Sequence, residues 1–195
     1  MAIYSEAKRA KPFVQGVKNL QKRKISVFPS LPPRSERPIK SIVTLNSSCQ
    51  AFFMATANDI AAYIIQKHGP ISAMKFQKLL YYSQAWALVW DEKPLFQERI
   101  EAWINGPVIP DIYELHKGQF QIENWPLGDP QKLNAEQIET VDAVFDFYGD
   151  KTAQWLSDLT HREKPWQEAR KGLDCNERGN REITKAALHE YYSSL

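Results

Sequence analysis

Residues 73–90 read AMKFQKLLYYSQAWALVW. Phe76, Leu79, Leu80, Ser83, Trp86 or Ala87, and Trp90 recur every three to four residues, which is the period of one face of an α-helix. The apolar positions spread well beyond a single stripe, so the segment predicts a long helix buried over much of its girth by its neighbours. A helix of that kind needs a shell of other elements around it. The flanking sequence supplies them.

Upstream, TANDIAAYIIQKHG (56–69) opens with cap-type Thr56 and Asn58, carries Ile60, Ile64 and Ile65 at helical spacing, and ends at Gly69 before Pro70. Ser72 is the expected cap of the central helix. Downstream, Pro94 stops a helix, and Phe96 to Trp103 reads as extended, with room for a short strand. Residues 110–117, closed by Gly118, predict a short helix. Asn134 and Gln137 have capping-box spacing ahead of the stripe Ile138, Val141, Phe145 and Tyr148, which stops at Gly149. Asp150 is the expected cap of KTAQWLSDLTH, Pro165 suits the first position of PWQEARKG, and a last helix runs from about Thr184 to Ser193. The expected fold is all-α: a compact bundle of six to seven helices with at most a short β element, plus a disordered basic N-terminal arm.

That arm is defined by charge and proline. Residues 1–53 hold ten Lys/Arg against Glu6 and Glu36, a net +8; the remainder holds fifteen bases against twenty-one acids, a net −6, and the two sum to the chain's +2. FPSLPPRSERP (28–38) is dense in turn formers. A segment this basic and Pro-rich buries too little apolar surface to offset its ordering entropy, so it is expected to be a solvated tail. Lys22-Arg23-Lys24 is its one candidate phosphate contact. Because a well-formed domain start follows Met54 directly, residues 1–53 are also compatible with an extended start-site assignment. The expected division is a basic extension at 1–53 and a domain at 54–195.

No apolar run reaches the roughly 18 residues of a membrane-spanning helix, and the first residues lack a signal-peptide core. Cys49 and Cys175 stand alone, which argues against a disulfide framework and fits a cytoplasmic location. His68, His116, His161 and His189 include no i, i+4 pair, and the chain lacks nucleophile-elbow, P-loop and dinucleotide-binding motifs. Ser83 and Ser157 have no histidine at helical spacing. No catalytic residue, metal ligand or cofactor is assigned, and the chain is read as a binding module and not an enzyme.

Two features bear on binding. Tyr81, Tyr82, Trp86 and Trp90 come from one helix, and Trp103, Trp125, Trp155 and Trp166 follow. Most belong to the core, but eight large rings cannot all point inward in a domain this small, which makes Tyr81 or Trp90 a candidate for an aromatic surface patch. The second feature is EAWINGPVIPDIY (101–113). Asn105-Gly106 tolerates positive φ, Pro107 fixes the next φ near −65°, Ile109 before Pro110 is pushed into an extended conformation, and Pro110 is preset to begin a helix. Gly106, Pro107 and Pro110 therefore make a stiff elbow, a scaffold device before it is a contact.

Three stretches in order carry a family resemblance: KFQKLLYY (75–82), AWINGPVIPDIY (102–113) and LTHREKPW (159–166). Together they resemble the Panacea domain, the family of SocA-like antitoxins and phage-associated GepA-like proteins. The resemblance implies an all-α fold and an antitoxin of a bacterial or prophage two-gene module. It implies as partner a cognate protein toxin, neutralised by direct contact. It also implies an alternative, a proteolytic adaptor that hands the toxin to a protease. Phe76 stands where many relatives have Leu, and the arm lies outside the pattern. Nucleic acid is a partner only through residues 1–53, and no membrane is implied. An acidic body suits a basic toxin, since complementary fields speed encounter. The neighbourhood expected to matter is Tyr81, Tyr82, Trp86, Trp103, Val108, Tyr113 and Lys117, as contacts or supports.

Overall fold

The structure is a computed structural model that describes residues 55–195; the expectations for the basic arm fall outside the described residues. Among the described residues the elements run α1 (Ala57–His68), β1 (Ile71–Ser72), α2 (Ala73–Trp90), β2 (Glu101–Trp103), β3 (Gly106–Val108), α3 (Pro110–His116), β4 (Gln121–Ile122), α4 (Ala135–Tyr148), α5 (Ala153–Thr160), α6 (Lys164–Ala169) and α7 (Lys185–Tyr192), with a 3-10 turn at Pro130–Lys132. The all-α bundle expected from the sequence is what forms, and β structure is confined to two antiparallel pairs. In one, Ile71 faces Ile122; in the other, Glu101 faces Val108 and Trp103 faces Gly106.

Helix α2 is the axis of the domain. Every residue from Phe76 to Leu88 is buried, and the helix packs chiefly against α4 and α7, then against α1, α3, α5 and both sheets. Two capping boxes set the starts of its neighbours: the one at Asn134 and Gln137 is as the sequence predicts, and at α1 the cap is Thr56, one of the two candidates, closed into a box by Asp59. Thr56 accepts from Asp59 N while Asp59 returns to Thr56 N, and Asn134 and Gln137 do the same for α4. Asp59 also accepts from Asp129 N at 2.8 Å, so one carboxylate starts α1 and holds the loop before α4.

Other local expectations change. The cap of α5 is Thr152, whose hydroxyl accepts from Trp155 N at 3.1 Å, while Asp150 pairs with Lys151; Thr152 sits immediately ahead of the first turn, within reach of Trp155 N. Ser72 holds the cap position of α2 with no side-chain bond, because β1–β4 pairing and Ala73 N donating to Phe120 O already fix that end. Pro165 is the second residue of α6, not the first. The extended segment before the elbow is regular only at Glu101–Trp103, since Leu95 N and Phe96 N donate instead to the Gln84 side chain.

Gln84 illustrates how a helix without a polar face uses its polar residues. Its Oε1 accepts from Leu95 N (2.8 Å) and Phe96 N (3.1 Å), and its Nε2 donates to Phe96 O (3.0 Å). The irregular chain after α2 thus finds the backbone partners that burial demands.

Candidate functional site

The elbow is held from inside by α2. Gly106 has φ 101, in the half of the map that side chains with a Cβ avoid, and it closes a hairpin over the two residues Ile104 and Asn105. A Cβ there would lie 2.7 Å from both Lys78 Nζ and Thr160 Oγ1. Lys78, 1 % exposed, donates to Pro107 O at 2.9 Å. One residue earlier on the same helix, Gln77 accepts from Ile109 N at 2.9 Å and meets His116 Nε2 at 2.9 Å. Burial pushes Lys78 down to about 7, and no carboxylate pairs with it among the ion pairs of the described residues.

The α5–α6 region closes the other side. Ser157 Oγ donates to Asn105 O at 2.9 Å, and Trp166 Nε1 donates to Trp103 O at 2.9 Å. Arg170, also buried, donates to Ala102 O (3.0 Å), Asp174 O (3.2 Å) and Glu177 O (2.7 Å). The three sequence motifs therefore meet in space: 75–82 beneath the hairpin, 102–113 forming it, and 159–166 at its flank.

What faces outward is a short row of rings and cations. The Trp103 and Tyr113 rings meet edge to face at 4.7 Å. Arg178 lies over Trp103 at 5.2 Å and Lys117 over Tyr113 at 6.0 Å, the geometry of cation–π contact. Trp103 Nε1 donates to Glu101 at 2.7 Å, and Lys117 pairs with Glu114 at 3.3 Å. Trp103 and Tyr113 are half-buried, and Lys117 and Arg178 are exposed.

Tyr81, Tyr82 and Trp86 lie elsewhere. Tyr81 and Tyr82 are fully buried and Trp86 nearly so, so Tyr81 forms no surface patch: it points from α2 into the packing of α7. Trp90 is half-buried and stacked on Trp86, while the exposed tryptophan is Trp155 on α5. The buried rings surround Glu163, which accepts from Tyr192 at 2.8 Å and Tyr82 at 3.2 Å. The Tyr81 and Tyr192 hydroxyls lie 3.3 Å apart. Burial pushes the Glu163 carboxyl up to about 8, and burial with Glu163 close by pushes the three tyrosines well above their ordinary range. A carboxyl among phenols, 2 % exposed, joins α2, α6 and α7 and is out of reach of a ligand.

The expected neighbourhood thus divides in two. Trp103, Val108, Tyr113 and Lys117 belong to the elbow, with Val108 buried beneath it; Tyr81, Tyr82 and Trp86 support the α7 side. Sequence reasoning missed Arg178, Lys78 and Glu163. For Lys78 a signal existed, a cation inside a helix that has no polar face. A groove of about 480 Å³ lined by His68, Lys75, Phe145, Lys151 and Thr152 includes none of the elbow residues. Among the described residues, no group of three or more His, Cys, Asp or Glu is placed to hold a metal ion, and no helix is long and apolar enough to cross a membrane.

Residues 76–167 match the family model described as antitoxin SocA-like, Panacea domain, the family that the three motifs resemble. The match begins in α2 and runs into α6, so it spans the hairpin, the elbow and the supports Gln77, Lys78, Ser157 and Trp166, while Arg170 lies just beyond it. No curated protein and no solved structure matches the chain.

Proposed function

We propose that this protein is the antitoxin of a toxin–antitoxin module and that it holds a co-encoded toxin inactive by direct binding through the outward face of the elbow. The family match over residues 76–167 carries the reading. The composition of the face supports it, because Trp, Tyr and Arg are the residues that most often dominate interface energetics. Its rigidity supports it too. The backbone beneath Trp103 and Tyr113 is pinned by Lys78, Gln77, Trp166 and Arg170, so little ordering entropy is left for binding to lose. The side chains supply contact and no covalent chemistry.

The test is co-expression with the product of the adjacent gene. Growth arrest caused by that product should be relieved by this protein, and the two should co-elute as a stable complex on gel filtration. A neighbour that is not toxic, or a toxic neighbour that neither binds nor is neutralised, refutes the reading. The toxin's half-life separates binding from delivery to a protease: it stays constant or lengthens if binding alone neutralises, and shortens if the complex is degraded.

A further inference from the structure

Phe120 is 94 % exposed, an unusual state for a ring that gains so much by leaving water. Its backbone is not loose. Gly118, at φ 86, turns the chain after α3; Gln119 N donates to His116 O at 2.9 Å, and Phe120 O accepts from Ala73 N at 2.9 Å. Gln121 then pairs with Ser72 in the β1–β4 sheet. The turn therefore presents the ring outward from a backbone tied at both sides.

Those same bonds tie the backbone around Phe120 to residues that adjoin, in sequence, two more exposed apolar side chains. Ala73 precedes Met74, which is 37 % exposed, and His116 follows Leu115, which is 45 % exposed. Glu114, Lys117 and Glu123, all exposed and of both signs, lie in the adjoining sequence. An apolar centre within a charged surround is the anatomy of a protein-binding anchor. A membrane surface would call for a basic surround, and this one is mixed.

The area decides between a second copy and a different protein. Phe120 offers roughly 190 Å², and the three side chains together on the order of 350 Å². A stable interface takes about 800 Å² from each partner, so the patch is too small to hold a homodimer by itself. It is the right size for one anchor of a larger surface. Its neighbour in sequence, Lys117, already belongs to the elbow face.

We infer that Phe120, flanked by Leu115 and Met74, is an anchor of the toxin interface and inserts into an apolar pocket on the toxin. This rests on the antitoxin reading. The probe is the purified product of the adjacent gene, titrated by calorimetry against the full chain and its variants. Phe120→Ala should weaken the affinity about thirty-fold, and Phe120→Glu should abolish both binding and growth rescue. Thermal unfolding of both should stay within about 2 °C of the wild type, since an exposed side chain adds little to stability. The uncomplexed wild type should sediment as a monomer. Unchanged affinity in Phe120→Ala overturns the inference, and so does a wild-type dimer that Phe120→Glu dissolves. If the wild type itself fails to bind, the antitoxin reading falls. If the wild type binds and an elbow variant weakens it while Phe120→Ala does not, only the anchor falls.

Discussion

Gly106→Ala is the sharpest test of the elbow. The new Cβ meets two obstacles, the φ of 101 and the atoms packed against the glycine. Holding a residue with a Cβ in that region costs about 1–3 kcal/mol. Sterically, the methyl would lie 2.7 Å from Lys78 Nζ and 2.8 Å from Lys78 Cε. A lysine tip ordinarily swings aside, but this one is buried, and moving it breaks its bond to Pro107 O. A buried donor left without a partner costs about 1–3 kcal/mol more. Thr160 Oγ1, the other near atom, is held at 2.8 Å from Ser157 O. The sum is about 2–6 kcal/mol, a large share of the roughly 5–15 kcal/mol that keeps a domain folded.

The assay is urea unfolding followed by tryptophan fluorescence at pH 7, in wild-type and Lys78→Met backgrounds. Methionine removes the charge and its donor, so the steric part of the penalty should shrink and the strain part remain. The two substitutions should show a coupling of about 1–2 kcal/mol. Lys117→Ala is the control, an exposed residue whose loss should change stability by less than about 0.5 kcal/mol. A Gly106→Ala penalty below about 1 kcal/mol, or the same penalty in both backgrounds, refutes the account of the elbow as a backbone locked by Lys78.

The other predictions concern charge. With Glu163 raised to about 8 from an ordinary 4.5, the folded state binds the proton more tightly than the unfolded one. Its contribution is therefore full below about pH 4.5, falls as pH rises through 8 and is gone above it, a swing on the order of 5 kcal/mol. Glu163→Gln should remove that decline, so that the stability difference between variant and wild type grows in the variant's favour from pH 5 to pH 9; a constant difference would show that the carboxyl is ionised throughout. Arg178→Glu, at an exposed residue over the Trp103 ring, should weaken toxin binding about ten-fold with no change in thermal stability, and unchanged binding would remove the elbow face from the interface. Lys78→Met should abolish the gain in wild-type stability expected between pH 7 and pH 10.5, since the penalty of a lowered lysine is full below about pH 7, where both states hold the proton, and is relieved over the range where the unfolded chain alone holds it; a wild-type profile flat over that range contradicts it.

Local rules made most of the fold legible. The period of Phe76 to Trp90 predicts α2, cap-type Thr56 and the pair Asn134–Gln137 mark the starts of α1 and α4, and Asn105-Gly106-Pro107 predicts the turn. Each of these signals lies within a few residues of its effect. The placement of Tyr81 was not legible, because a helix apolar on most sides gives no sign of which side meets a neighbour. Glu163 stands between Arg162 and Lys164 and reads as a solvated charge, yet its partners Tyr82 and Tyr192 are 81 and 29 residues away. Arg178 reaches Trp103 from a loop with no periodicity. Phe120 carries no pattern at all; only its exposure and the bonds on either side single it out.

The buried polar residues of α2 explain why the hairpin and its neighbours hold a fixed shape without long strands. An all-α domain has few ladders with which to satisfy the backbone of its connections. Here Gln77, Lys78 and Gln84 take that part, each reaching from the core helix to main-chain atoms of the segment 95–109. An apolar residue at any of the three would pack as well but would leave those amides and carbonyls unpaired, at about 1–3 kcal/mol each. Lys78 shows the cost of the arrangement, since a buried amine without a counter-ion is a poor choice for stability alone. What it secures is the position of Pro107, and through Pro107 the relation of Trp103 on the hairpin to Tyr113 on α3. Stability and surface geometry are thus set by the same side chains, and substitutions that improve the first by removing polar groups from α2 should loosen the second.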